Sequence, residues 1–507
     1  MDARVVVDGS WADAVQEVGL GCELLDGLEI HGAPVFGSWL LSERLRMAAA
    51  SEAVLHEASL ALMSQGSLAQ ALAFALRAAA LSPLDENHQA LLVRLYRLGG
   101  NDGAAKRQYE SYARILDAEL GVSPGEAVRA ALQARTESNS DIADTMSIEA
   151  MIEAGMAAIS AGALHHGTTS LRTAVRLADQ RKTETLQTRA RLVLAEALIH
   201  ASGGLDEEGL AVLHETDRIA MLVNNRVVMA QARSELGYVN FLRGRYNRAR
   251  VWLEDALAHA DDSPTIMATA TTYLGSVESD RGNYPEAIAL LEEGVDLARV
   301  AADPRREAYA LSMLGRVSLT LGDPDTAHTQ LDEAIDLAER DHWLFFLPLP
   351  QSLKGEAHLA LHNVDEAADT LRQSFARAIQ SEDPCWEGLA TRGLALVAEA
   401  QGDTEVAFAT LDDARLRCNR RADPYTWLNA HILDAQCILG RRHGHPQTRH
   451  WIEQMRSLAA RSGMKELTVR AMLHAAALGD EGEAAAARLI SAELDNPVLT
   501  HDLAMLS

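Results

Sequence analysis

One spacing dominates the second half of the chain and limits what it can fold into. Small residues recur at intervals of 38 to 40 positions, at Gly237, Gly275, Gly315, Gly355, Ala395 and Ala435. Alanine follows each of the first five by 12 positions, leucine by 16 and another small residue by 19. A further glycine follows four of them by seven positions, at Gly244, Gly282, Gly322 and Gly402. A fixed period of this length indicates one supersecondary unit that stacks on copies of itself.

Within each period the residues are spaced for two antiparallel helices joined by a short turn. Small side chains at the crossing let the two backbones approach, and the leucine fills the layer beside them. The pattern resembles the tetratricopeptide repeat, whose usual length is about 34 residues. The resemblance implies an all-α fold, in which helical hairpins build a right-handed superhelical solenoid over residues 147–495.

Composition agrees with this fold and excludes several functions. Hydrophobic residues make up 48% of the chain but aromatic residues only 5%, which favours closely packed helices over sheets. The net charge of −26 would repel a phosphate backbone, so we expect no direct DNA binding by this chain. Four widely spaced cysteines, no signal core and no long apolar stretch indicate a cytoplasmic protein that makes no contact with a membrane.

The N-terminal part reads as a separate helical domain over residues 24–135. Its signatures are the opening Trp39 to Arg44, the sequence Pro83-Leu84-Asp85-Glu86, a helix around Tyr109 and the closing run from Glu119 to Pro124. In this order they resemble the bacterial transcriptional activator domain. That domain follows a winged helix-turn-helix in regulators of the antibiotic-regulatory-protein (SARP) class.

The N-terminus departs from that class. Only a short remnant, residues 1–23, precedes the activator-like domain, which is too little for a winged helix. Either the true start lies upstream or the protein works through a partner. The remaining boundaries are a polar linker at residues 136–146 and a tail at residues 496–507.

No pattern in the chain predicts catalysis, a metal or a cofactor. There is no Gly-rich phosphate loop and no nucleophile elbow, and the repeated acidic pairs fit a solvated outer helix face. His56-Glu57 begins like a metalloprotease helix but lacks the second histidine. His443, His445 and His450 near Cys437 form the densest histidine cluster, and their basic surroundings favour an exposed loop over a metal site.

A helical solenoid offers a concave surface built from the first helix of each hairpin, where protein or peptide partners bind. The usual inward positions of the repeat carry over to Gln231, Ser234, Tyr238, Phe241, Thr269, Thr272, Ser276, Tyr309, Ser312, Arg316, Ser352 and Glu356. Aromatic residues and arginine are the most frequent interface anchors. The alternative for each position is packing against the neighbouring hairpin.

The sequence therefore predicts a cytoplasmic transcription regulator of the SARP type, or a regulator lacking its own DNA-binding domain. Its repeats would bind a partner or effector in the groove, and the activator-like domain would act on the transcription machinery. The alternative is a repeat scaffold for protein interactions with no transcriptional role.

Overall fold

The computed structural model describes residues 5–6, 11–17, 19–25, 34–133, 145–160, 164–201, 206–341, 343–381, 383–420 and 424–505. Within these residues the chain is built from helices and turns, with no strand. This confirms the all-α prediction. Most of the predicted linker, residues 136–146, lies outside the described residues.

Among the described residues, the N-terminal domain contains six helices of four residues or more. They are α1 Trp11–Ala14, α2 Pro34–Ser64, α3 Leu68–Leu81, α4 Glu86–Leu98, α5 Asp102–Leu120 and α6 Glu126–Gln133. Asp85 caps α4 by accepting hydrogen bonds from the backbone N–H groups of Asn87 and His88, and Gly121 ends α5 in the left-handed conformation. Residues of the predicted remnant pack here as well, since Val6, Ala14 and Leu20 are buried in one cluster with α2.

Two less regular hairpins follow. Their helices are α7 Thr145–Ser160, α8 Leu164–Arg181, α9 Glu184–Glu196 and α10 Asp206–Leu222. Helix α9 continues into a π-helical turn, Ala197–Ala201. Such turns are rare and occur often at functional sites.

The regular array comes next. It comprises α11 Arg226–Leu242, α12 Tyr246–Ala258, α13 Pro264–Arg281, α14 Tyr284–Val300, α15 Pro304–Thr320, α16 Pro324–Arg340, α17 Pro348–Ala360, α18 Val364–Gln380, α19 Pro384–Ala400, α20 Thr404–Cys418, α21 Thr426–His443, α22 Thr448–Ser462, α23 Lys465–Ala476 and α24 Glu481–Ser491. Consecutive helices pack as antiparallel hairpins. Several helices begin at a proline, whose fixed φ and missing N–H suit the first helical position.

The crossing residues lie where the repeat predicts them. A Cβ atom at Gly275 would lie 2.8 Å from Cγ of Leu291, and one at Gly315 would lie 2.6 Å from Cγ of Leu331. The turn glycines Gly244, Gly282 and Gly322 all have positive φ. The glycine at the crossing therefore gives the leucine 16 positions later room to pack between the two helices.

The array curls back on itself. Helix α2 of the N-terminal domain packs against α10 near the start of the array and against α22 and α24 near its end. The residues predicted as a tail form a further helix, α25 Pro497–Met505, which buries Leu499 and Leu503 against α23 and α24. The amide of Asn496 reaches back 176 positions to the carbonyl of Thr320, at 3.5 Å. The two ends of the repeat array are thus joined through the N-terminal domain.

Candidate functional site

Most of the predicted groove residues are buried between helices. Those with little or no exposure are Ser234, Phe241, Thr272, Ser276, Tyr309, Ser312, Arg316 and Ser352. Three of the serines donate their hydroxyl groups to carbonyls of their own helix, and Ser352 lies 2.8 Å from the hydroxyl of Ser374. The sequence predicts these residues on an accessible surface, but in the structure they are enclosed, because the helices cross closely and the array returns to the N-terminal domain. Packing against neighbouring helices was the alternative for each of them.

The remaining four stay partly exposed: Gln231, Tyr238, Thr269 and Glu356. Glu356 is paired with Arg392 of the next hairpin. Tyr238 is the one aromatic residue among the predicted positions that keeps contact with solvent.

Tyr238 lies in a stack of four rings, one from the first helix of each of four successive hairpins. We call this stack the aromatic column, and its members are His200, Tyr238, Tyr273 and Tyr309. The ring centroids of His200 and Tyr238 are 4.9 Å apart, those of Tyr238 and Tyr273 are 4.5 Å apart, and Tyr309 meets Tyr273 edge-on at 5.8 Å. The guanidinium of Arg306 lies 4.7 Å from the centroid of Tyr273. Stacked rings of this kind give a rigid surface with little side-chain entropy left to lose.

Two carboxylates flank the start of the aromatic column. His200 Nε2 lies 2.7 Å from Glu235 Oε2, and the π-helical turn brings His200 to this position, four residues after Glu196. Desolvation by the surrounding helices and the nearby Glu235 charge raise the pKa of Glu196 to about 7. Burial opposes the charge on His200, but the contact with Glu235 raises the pKa of the imidazole above its usual value. Glu196 therefore gains or loses its proton near neutral pH.

The groove further along the array is filled by the chain itself. Arg316 donates to Tyr425 Oη at 2.6 Å and lies 4.3 Å from the centroid of Trp427, both at the start of α21. It also pairs with Asp280, which accepts a hydrogen bond from Tyr246 at 3.0 Å. Burial raises the pKa of Asp280 to about 6, although Arg316 opposes this shift. Arg316 and Tyr425 thus close the groove at α13 and α15.

A second polar group, the junction cluster, joins the N-terminal domain to the repeats. It consists of Glu52, His56, His88 and Glu207. His56 Nε2 lies 2.7 Å from Glu207 of α10, the two histidines face each other through their Nδ1 atoms at 2.9 Å, and His88 Nε2 lies 3.1 Å from Glu52. Burial lowers the pKa of His56 to about 4. Contacts with His88 outweigh burial and lower the pKa of Glu52 to about 2.

Two groups of side chains contain residue types that bind metals. In the first, Glu52, Asp85 and His88 each offer one ligand atom, and these three atoms lie within 4.8 Å of one another. The second group is the histidine cluster near Cys437. There the ring centroids of His445 and Trp451 are 4.7 Å apart, and His443 Nε2 lies 2.9 Å from Glu399 Oε1. Packing and pairing therefore account for those two histidines.

Neither the π-helical turn nor the junction cluster was predicted. Glu196 and His200 belong to the irregular hairpin, where no repeat register marks an inward position. His56 and Glu57 stood out only as an incomplete metalloprotease motif. Their actual partners, Glu207 and Arg248, are more than 150 positions away.

Comparison with known families identifies both parts of the chain. Residues 3–134 match the family described as the bacterial transcriptional activator domain. Residues 229–258 and 266–340 match two families of tetratricopeptide repeat. The chain thus carries a bacterial transcriptional activator domain followed by tetratricopeptide repeats, the arrangement of SARP-like regulators, and both resemblances are confirmed. The first module is typical of transcriptional regulators and the second of protein interaction, and neither is an enzymatic domain.

Similar solved structures share little sequence with the chain. A Rap protein complexed with Competence and Sporulation Factor is 12% identical, with 72% of this chain and 100% of that chain covered and a TM-score of 0.48. Yeast Tom70 is 13% identical, with coverage of 82% and 97% and a TM-score of 0.34. A signal-transduction ATPase with a tetratricopeptide repeat sensor from Pyrococcus horikoshii is 16% identical, with coverage of 73% and 54% and a TM-score of 0.35.

No curated protein sequence matches the chain. Among the described residues, no helix combines the length and the hydropathy that crossing a membrane would require.

Proposed function

We propose that the protein is a cytoplasmic transcription regulator of the SARP type whose repeats bind a protein or peptide partner. The activator domain acts on the transcription machinery, and the chain itself does not read DNA. The observation that carries this proposal is the direct packing of the activator domain on the repeats, through α2 against α10.

The partner binds at what we call the open groove, formed by Glu196, His200, Gln231, Tyr238 and Thr269. These residues are all at least partly exposed, and His200 and Tyr238 belong to the aromatic column. Carboxylates next to stacked rings suit a basic side chain, which gains from both the charge and the ring face. We therefore propose a partner segment that carries lysine or arginine.

The contacts between the domains give the partner a route to the activator domain. Glu57 of α2 accepts from Arg248 of α12 at 2.7 Å, and Arg94 of α4 donates to the carbonyl of Glu207 at 3.1 Å. Glu207 belongs to α10 and Arg248 to α12, and both helices pack against α11, which carries Gln231 and Tyr238 of the open groove. A partner that favours one arrangement of these helices shifts the activator domain with them.

Transcript profiling in the source organism tests the proposal. Deletion of the gene should change transcript levels at a defined set of promoters, and the wild-type gene should restore them. The triple variant His200→Gln, Gln231→Ala, Thr269→Ala should fail to restore them while keeping its helicity and melting temperature, because glutamine at position 200 still offers a hydrogen-bond donor to the buried Glu235. These three positions are chosen because Phe241 and Arg316 are buried, and their loss would weaken the fold itself.

The matched control is the pair Glu292→Ala, Glu293→Ala, two exposed carboxylates on the outer helix α14. This variant should restore transcript levels as the wild type does. Full restoration by the open-groove variant would refute the groove mechanism. A deletion with no effect on any transcript would favour the scaffold alternative.

A further inference from the structure

A cavity of about 200 Å³ lies where three parts of the chain meet. Helix α2 and the turn before α4 supply one wall through Glu52 and Asp85. The turn between α11 and α12 supplies a second wall, and α21 and α22 near the end of the array supply the third. We call this the junction cavity, because a ligand in it would touch the activator domain and both ends of the array at once.

Arginines outnumber carboxylates in the lining of the junction cavity, although the chain as a whole is acidic. Four arginines line it, Arg243, Arg245, Arg248 and Arg461, against the two carboxylates Glu52 and Asp85. The chain as a whole has 46 basic and 72 acidic residues. A concentration of guanidinium groups around a concave space is the usual chemistry for binding phosphate or carboxylate.

The arginines differ in how firmly they are already held. Arg248 is paired with Glu57, and Arg243 lies 3.4 Å from Glu207. Arg461 is 46% exposed, and its guanidinium is 3.7 Å from Glu52, longer than a hydrogen bond. Arg461 can therefore turn towards a ligand without breaking a tight pair.

Two helices also begin at the junction cavity. Helix α12 starts at Tyr246 and α21 at Thr426, and both residues line the space. The N-cap residues, Arg245 and Tyr425, make no side-chain hydrogen bond that caps the first turn. The first backbone N–H groups of a helix and its dipole favour an anion at this position. They add to the arginines rather than replace them.

We propose that the junction cavity binds a small phosphate monoester. The phosphate lies between Arg245, Arg461 and the start of α12, and Glu52 and Asp85 accept hydrogen bonds from hydroxyl groups of the ligand. The volume is below the roughly 300 Å³ at which sites for drug-sized ligands begin, which favours a small ligand. The ligand would fix the activator domain against the repeats. This inference does not depend on the proposed partner in the open groove.

Calorimetric titration and thermal melting of the full chain test this site, with glycerol 3-phosphate and inorganic phosphate as probes and sodium chloride at matched ionic strength as reference. Glycerol 3-phosphate should bind and raise the melting temperature beyond the chloride reference. Arg245→Gln and Arg461→Gln should each weaken its binding about tenfold or more, as expected for a lost charge-assisted hydrogen bond. Arg372→Gln, at an exposed surface pair, should bind as the wild type does.

Either of two results would overturn the proposal. The first is that neither phosphate probe produces heat or stabilisation beyond the chloride reference. The second is that the wild type and Arg461→Gln bind glycerol 3-phosphate with equal affinity. Because Arg461 is half exposed, this variant keeps the fold even if Arg245→Gln does not, and its affinity decides the outcome.

Discussion

The buried contacts of Arg316 make a quantitative prediction about stability. Its side chain is 3% exposed and that of Asp280 is fully buried, so the pair lies in a low-dielectric environment. Arg316→Met keeps the volume but removes the ion pair, the hydrogen bond to Tyr425 and the contact with the Trp427 ring. Breaking a buried pair from one side costs about 3–5 kcal/mol, because it leaves an uncompensated charge. We expect a loss in that range at pH 8.

The loss of stability in Arg316→Met should depend on pH in a defined direction. In the wild type, burial raises the pKa of Asp280 from 3.8 to about 6. Between these two pH values the unfolded chain has lost the proton of Asp280 and the folded chain still holds it, so the free energy of unfolding falls as the pH rises. Without Arg316 the pKa of Asp280 rises further, and this decrease continues above pH 6. The difference between Arg316→Met and the wild type should therefore grow from pH 5.5 to pH 8.

Urea unfolding followed by circular dichroism at both pH values measures the difference. The double variant Asp280→Asn, Arg316→Met has no buried charge to leave unpaired, so it should be more stable than Arg316→Met alone at pH 8. Arg372→Met, from an exposed pair with Asp369, should change stability by only about 0.5 kcal/mol. If Arg316→Met shows the same loss at both pH values, and Asp280→Asn does not relieve it, the reasoning fails.

Three further results are expected. Gly275→Leu should lower the free energy of unfolding by about 1–3 kcal/mol in urea titrations, because even the Cβ atom of a new side chain would lie 2.8 Å from Cγ of Leu291. An unchanged midpoint would contradict the crossing geometry. The contribution of His56 to the free energy of unfolding should fall as the pH is lowered from 6.5 towards 4, because burial lowers the pKa of His56 to about 4 and only the unfolded chain gains that proton. His56→Gln should flatten this slope, by up to about 1.4 kcal/mol per pH unit. The chain should show no salt-sensitive, sequence-selective gel shift with duplex DNA, given its charge of −26.

The sequence predicts what lies within one repeat and misses what joins distant repeats. The contact between Gly275 and Leu291 spans 16 positions, so it recurs at a fixed interval and can be read from the spacing. The bond between Arg316 and Tyr425 spans 109 positions and occurs once. It depends on the small rotations added by every intervening hairpin, and no local pattern records their sum.

The same limit applies to the candidate site. Tyr238 was predicted on the concave side, and in the structure its ring stacks on that of His200. Its partner His200 was not predicted, because the π-helical turn that positions it falls in an irregular hairpin. The burial of Ser276 and Ser312 was equally invisible, since small residues suit both a tight crossing and an open surface.

The return of the array to helix α2 fixes the number of its repeats. An open array can gain or lose a hairpin during evolution, since each hairpin touches only its neighbours. Here an additional 40 residues would carry α22 and α24 past α2, and the contacts between Asn496 and Thr320 would be lost. The repeat count of this protein is therefore a geometric requirement of closure, and descendants of the same gene should vary in loop length before they vary in the number of hairpins.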